Sequence, residues 1–146
     1  MTVFDEAIAA QVATMADLMD DALGAGLAAP QVGTLNRLFV YRTDPEAELG
    51  VVINPTITRF SEEKITTDEG CLSIGRAGVW VPVERAAEVE VAAFDARGRE
   101  ITIRAEGRHA VILQHETDHL DGVLMLQRTD PEHRRAALRE LRDAGR

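Results

Sequence analysis

The sequence has a single cysteine, Cys71, and so no internal disulfide. A lone cysteine in a reducing compartment serves as a buried apolar residue, a nucleophile or a metal ligand, and a cytoplasmic setting is expected. Positive charge is scarce. Sixteen Lys and Arg against 25 Asp and Glu leave a formal net charge of −9, which argues against nucleic acid or an anionic membrane as the main partner. No stretch approaches the roughly 20 consecutive apolar residues of a membrane span. The acidic N-terminus lacks the continuous apolar run of a secretory signal, so neither a signal nor a membrane association is expected. Repeats, low-complexity tracts and dividing linkers are also lacking. What is present is 146 residues, 45 % apolar and 28 % charged, the balance of an ordinary globular chain long enough to bury a core. Residues 1–146 read as a single domain.

Along the chain, Thr2 and Asp5 stand at capping-box spacing, with Asp in place of the usual Glu or Gln. Phe4, Ile8, Val12, Met15, Leu18 or Met19 and Leu23 then recur at helical spacing, predicting an amphipathic helix over 3–23 that Gly24 stops. "GAGLAAPQVG" reads as a loop, or as a strand whose backbone is closely approached. "RLFVY" (37–41) and "GVVINPTITRF" (50–60) read as strands, and 89–105 as a hairpin with alternation on both arms. Helical period returns from Arg108 to Leu120 and breaks at Asp121-Gly122. "VLMLQ" (123–127) reads as a short strand, and Asp130 caps a last helix with Pro131 in its first turn. The expected class is α+β: an N-terminal helix, antiparallel strands, then a helix carrying histidines.

That helix holds "LQHETDHLDG" (113–122). His115 and His119, at i and i+4, share one helix face and form a metal pincer, with Glu116 beside them able to handle a proton. The preceding apolar run "AVIL" predicts burial, and burying two histidines and a glutamate without a metal is unfavourable. Zinc peptidases with H-E-x-x-H take a third ligand downstream. Here no histidine stands at the expected place, and Glu132 and Glu140 lie in a surface-looking helix. Cys71, in "DEGCLSIG", offers a third ligand from upstream, leaving a fourth position open for water; a buried apolar role for Cys71 stays open on these grounds alone. His109 and His133 read as bystanders, and Asp118 as a partner that orients a ligating histidine.

Three blocks in order, "GAGLAAPQ" (24–31), "EGCLS" (69–73) and "QHETDH" (114–119), resemble the peptide deformylases. "INP" (53–55), the 89–99 hairpin segment and "LDGVL" support the match. The resemblance implies a peptide deformylase-like α+β fold and hydrolysis of the N-formyl group from the N-terminal methionine of new polypeptides. It implies Cys71, His115 and His119 as ligands of one divalent metal ion, with Fe(II) first and Ni(II), Co(II) or Zn(II) as compatible occupants. Glu116 then matches the general base and acid, and the Gln31 amide with the Leu72 N–H matches the oxyanion donors. Gly24, Gly26, Glu69, Gly70, Val111 and Ile112 match substrate-binding positions, Val111 and Ile112 lining a pocket for methionine. Partners implied are N-formyl-methionyl peptides and nascent chains. The tail carrying Arg134, Arg135, Arg139, Arg142 and Arg146 reads as a solvated helix face with a possible ribosome contact, and a monomer is expected.

Against the family pattern, the chain starts almost at the first helix, without a preceding strand segment. "EGCLS" continues as "IGRAGVWVPVER" without a proline, so the arginine that would bind the substrate backbone falls to Arg76 or Arg85. Trp80 reads as core, and Arg108 stands where an apolar pocket residue is usual. Two alternatives remain: an HExxH zinc peptidase, or a catalytically impaired deformylase-like protein.

Overall fold

A computed structural model describes residues 4–74 and 78–145; Thr2, Arg76 and Arg146 lie outside them. Helix α1 spans Glu6–Asp21, and Asp5 is its cap, accepting from the Ile8 N–H at 3.1 Å. Its buried residues Ile8, Val12, Met15, Ala16 and Met19 follow the helical period. The helix ends two residues before the predicted end, and the left-handed position falls on Leu23 (φ 55) rather than on Gly24. Leu23 N–H donates to Asp20 O at 3.0 Å and Gly24 N–H to Met19 O at 2.9 Å, the two bonds of a Schellman ending.

Strands β1 (Gly26–Ala28), β2 (Leu38–Tyr41) and β3 (Gly50–Phe60) join β6 (Glu88–Phe94) and β7 (Glu100–Glu106) in an antiparallel five-stranded sheet ordered β1-β2-β3-β6-β7. All four residues of β2 are buried because the sheet is covered on both faces. Leu38 and Val40 face α1, with Ile8, Val12 and Ile53. Phe39 and Tyr41 face the helix α2 (Gly107–Leu120), with Val89, Val91, Ile112 and Leu113. The β6–β7 hairpin pairs as the alternation predicts, Val91 opposite Ile103 and Ala93 opposite Ile101.

A second, two-stranded sheet joins β4 (Lys64–Gly70) and β5 (Trp80–Ala86). Glu69 is the only buried residue of β4, whereas β5 alternates, with Val81, Val83 and Arg85 turned inward. Helix α3 (Pro131–Ala144) has the predicted Asp130 cap, which accepts from the N–H groups of Glu132 and His133. Residues 125–127 form a 3-10 turn instead of the predicted strand. Met125 and Leu126 both turn inward against Val79, Val81, Val83 and Ala137, and two adjacent buried side chains cannot share one face of a strand. The Gln127 side chain closes the turn by accepting from the Leu124 N–H at 2.7 Å. The result is α+β, with α2 lying between the two sheets.

Candidate active site

Three segments converge along one face of α2. Gln114 anchors the helix: its Oε1 accepts from Ala86 N–H at 3.1 Å, and its Nε2 donates to the Ala86 and Ala110 carbonyls, each at 3.0 Å. The next residue, His115, is thereby held against the end of β4. Its Nδ1 lies 2.8 Å from Glu69 Oε2, so Nε2 turns the other way, to 3.2 Å from His119 Nε2. Cys71 Sγ lies 3.3 Å from His119 Nε2, and one ligand atom from each of Cys71, His115 and His119 falls within 4.8 Å of the others.

The donor set suits a transition metal. A cation with metal–nitrogen distances near 2.1 Å and metal–sulfur near 2.3 Å separates tetrahedral donors by about 3.4–3.6 Å, close to the 3.3 Å from Cys71 to His119 and the 3.2 Å between the two histidines. Burial pushes the Cys71 thiol up, but hydrogen bonds with His115 and His119 and the His119 charge outweigh it and hold the group at about 6. A thiolate, the form a metal requires, is thus favoured near neutral pH. His119 and His115 share the arrangement of ligating histidines, and the Glu69 carboxylate on His115 Nδ1 is the usual companion of such a ring.

Glu116 is almost fully buried, and its Oε2 makes no hydrogen bond among the described residues. Burial is the main cause that raises its pKa, to about 7, with the charges of His115 and His119 opposing. Such a carboxyl can both take and return a proton at neutral pH. Gly26 makes room for it: a Cβ there would lie 2.6 Å from Glu116 Cδ and 2.8 Å from Cγ. At Gly24, a Cβ would meet Leu72 Cδ1 at 3.0 Å. Both glycines are therefore already approached by protein side chains.

The amide of Gln31 is fixed at its oxygen, which accepts from Ala28 N–H at 2.8 Å. Its Nε2 is left facing Ser73 Oγ at 2.9 Å and Cys71 Sγ at 3.8 Å. Leu72 follows the thiol, and its N–H gives no hydrogen bond to a backbone carbonyl among the described residues. A cleft of about 920 Å³ opens over these groups, with Val111 and Ile112 lining it one turn before His115.

Several expectations are corrected. Trp80 is not core: it is 66 % exposed, lines the cleft and packs its ring on Gly70. Arg85 is not free for a substrate, being 5 % exposed with its Nε and Nη2 donating to Glu69 at 2.8 and 2.9 Å. Glu69 lines the cleft, yet Arg85 and His115 engage both its oxygens, which leaves it to orient His115. The Asp118 side chain accepts from Arg85 and Arg128, and among the described residues no hydrogen bond joins it to either histidine. Arg108 is exposed at the cleft and donates to the Thr43 carbonyl. His109 pairs with Tyr41 Oη at 3.0 Å and His133 with Asp130. Glu132 and Glu140 are exposed on α3 and stand outside the group of three donors.

Fold and donor set together are those of a metal-dependent hydrolase. Residues 1–135 match the polypeptide deformylase family model, and the chain belongs to that family. It is 42 % identical over 141 residues to a peptide deformylase of Parafrankia, covering 97 % of this chain and 75 % of that protein. It is 45 % identical to peptide deformylase 1 of Corynebacterium glutamicum, covering 95 % and 82 %. The crystal structure of a peptide deformylase from Legionella pneumophila superposes with a TM-score of 0.91 at 38 % identity, covering 98 % of this chain and 83 % of that one.

Proposed function

We propose that this chain removes the formyl group from the N-terminal methionine of newly made polypeptides, releasing formate and a free amine. The observation that carries the reading is the convergence of the Cys71, His115 and His119 donors with buried Glu116 on one cleft. Cys71, His115 and His119 would hold one divalent cation. Fe(II) is the first expectation, with Ni(II), Co(II) and Zn(II) also suited to these donors. When bound, the cation supplies the Lewis-acid charge that makes water nucleophilic near neutral pH.

The protein's own groups do the rest. Glu116 takes a proton from the attacking water and gives it to the nitrogen as the C–N bond breaks. Gln31 Nε2 and the Leu72 N–H donate to the formyl oxygen as it gains charge. Glu69 keeps the His115 ring turned. Gly24, Gly26 and Gly70 border the groove for the peptide backbone, and Val111 and Ile112 receive the methionine side chain. The chain acts as one catalytic domain, as a monomer in the cytoplasm. On α3 only Ala137 is buried, so Arg134, Arg135, Arg139 and Arg142 are available for a weak ribosome contact near the nascent chain.

Formate release from formyl-Met-Ala-Ser by metal-loaded protein tests the reading, with acetyl-Met-Ala-Ser and an internally cleavable peptide as controls. Release of formate alone is expected. Cleavage of the internal bond instead would support the zinc-peptidase alternative, and no reaction by fully loaded protein would support an impaired relative.

A further inference from the structure

The bonded chain that ends on His115 does not begin at Arg85. Arg85 Nη1 donates to Asp118 Oδ2 at 2.6 Å. The same oxygen accepts from Arg128 Nε at 3.0 Å, and Arg128 Nη2 donates to Asp118 Oδ1 at 2.6 Å. Arg128 follows the 3-10 turn and does not line the active-site cleft. It is half-exposed in a second cleft of about 440 Å³ that Arg85, Gln114 and Asp118 also line.

We propose that Arg128 is a positioning residue for the metal centre, acting through Asp118, Arg85 and Glu69 on the ring of His115. The inference rests on His115 being a ligand. Its physical basis is the sharing of one guanidinium by two buried carboxylates. Glu69 occupies Arg85 Nε and Nη2, while Asp118 has only Nη1. Asp118 tolerates that smaller share because Arg128 spans both its oxygens, and two cations then balance two anions. Without Arg128, Asp118 has Arg85 as its only guanidinium partner here, and an underpaired buried carboxylate is strongly unfavourable. The Arg85 fork is drawn toward Asp118, Glu69 loses the geometry of its two-point contact, and His115 Nδ1 loses its fixed acceptor. Lysine cannot replace Arg128, because one ammonium does not reproduce a two-point bond to a carboxylate.

Zinc release from zinc-loaded protein into a colorimetric chelator tests this, using wild type, Arg128→Met, Arg128→Lys, Glu69→Gln and the double variant Glu69→Gln with Arg128→Met. Outer partners of ligating histidines typically change metal affinity 10–100-fold, and the more remote Arg128 is expected to speed release by about tenfold. Arg128→Lys should release zinc nearly as fast as Arg128→Met. In the Glu69→Gln background, Arg128→Met should add no more than about twofold, because both act on one path. An unchanged or slower release from Arg128→Met overturns the proposal, as does a full second increment in the double variant or wild-type behaviour of Arg128→Lys. A lower melting temperature of metal-free Arg128→Met with wild-type release would make the residue structural only and also overturn it. Tight zinc retention by His115→Ala would instead remove the reading of His115 on which the inference rests.

Discussion

Gly26 and Glu116 are in such close contact that the missing side chain of one is the space occupied by the other. Gly26 lies on β1 and Glu116 on α2, so the first motif of the chain shapes the space around the buried carboxyl of the last. Gly26→Ala must push the Glu116 carboxylate aside. A displacement of about 1 Å can lower turnover about 10²-fold, and that loss in kcat is expected with metal content unchanged. Metal analysis beside formate-release kinetics checks it, and wild-type turnover would show that the glycine serves only the substrate.

Gln31 contributes a donor and an acceptor that can be separated. Gln31→Leu removes both, and loss of one oxyanion donor typically lowers kcat by about 10²–10³-fold. Gln31→Glu retains an acceptor for the Ala28 N–H and removes the amide donor. It should therefore melt near wild type while losing comparable activity. Recovery of activity in Gln31→Glu would contradict the donor role.

Glu69 links pH to stability. Burial raises its pKa, but hydrogen bonds from Arg85 and His115, and their charges, outweigh this and hold the carboxyl at about 2. The folded value lies below the unfolded one of about 4.3. Its contribution is therefore fully present above the unfolded value and is lost as pH falls toward about 2. In metal-free protein, wild type should melt well above Glu69→Gln at neutral pH, and the difference should shrink as pH falls from about 5 to 3. A constant difference across that range would contradict the assignment.

Leu23 carries a left-handed backbone at the end of α1 while its side chain is 94 % exposed. Little packing is lost if it is replaced. Leu23→Gly should raise stability by up to about 1 kcal/mol, the strain relieved exceeding the chain entropy glycine adds. Thermal or urea unfolding measures it, and a drop in stability would mean that Leu23 packs more than its exposure indicates.

The legible parts of this molecule are those in which one element sees one environment. The helical period of α1 and α2, the alternation of β6 and β7 and the Asp130 cap all report directly on burial or on a backbone N–H. The less legible parts depend on partners distant in sequence. Strand β4 buries a carboxylate rather than a hydrophobic stripe, and its partner β5 puts Arg85 in line with the inward Val81 and Val83, so the pair is only half legible as alternation. Arg85 meets Glu69 across that pair, and without it nothing separates a buried arginine from a substrate-binding one. Asp118 lies within the HETDH motif, yet its carboxylate pairs with Arg85 and Arg128, while Glu69 from the two-stranded sheet meets His115. Trp80 looked like core by residue type, but its neighbour across the strands is Gly70, which leaves the ring as a wall of the cleft.

The central claim is that Glu116 moves the proton at a centre whose metal is held by Cys71, His115 and His119. Formate release from formyl-Met-Ala-Ser by Glu116→Gln, with the bound metal quantified in the same sample, tests it most directly. One metal ion per chain is expected, as in wild type, with turnover reduced by at least about 10²-fold. A fully loaded Glu116→Gln protein releasing formate at the wild-type rate would contradict it.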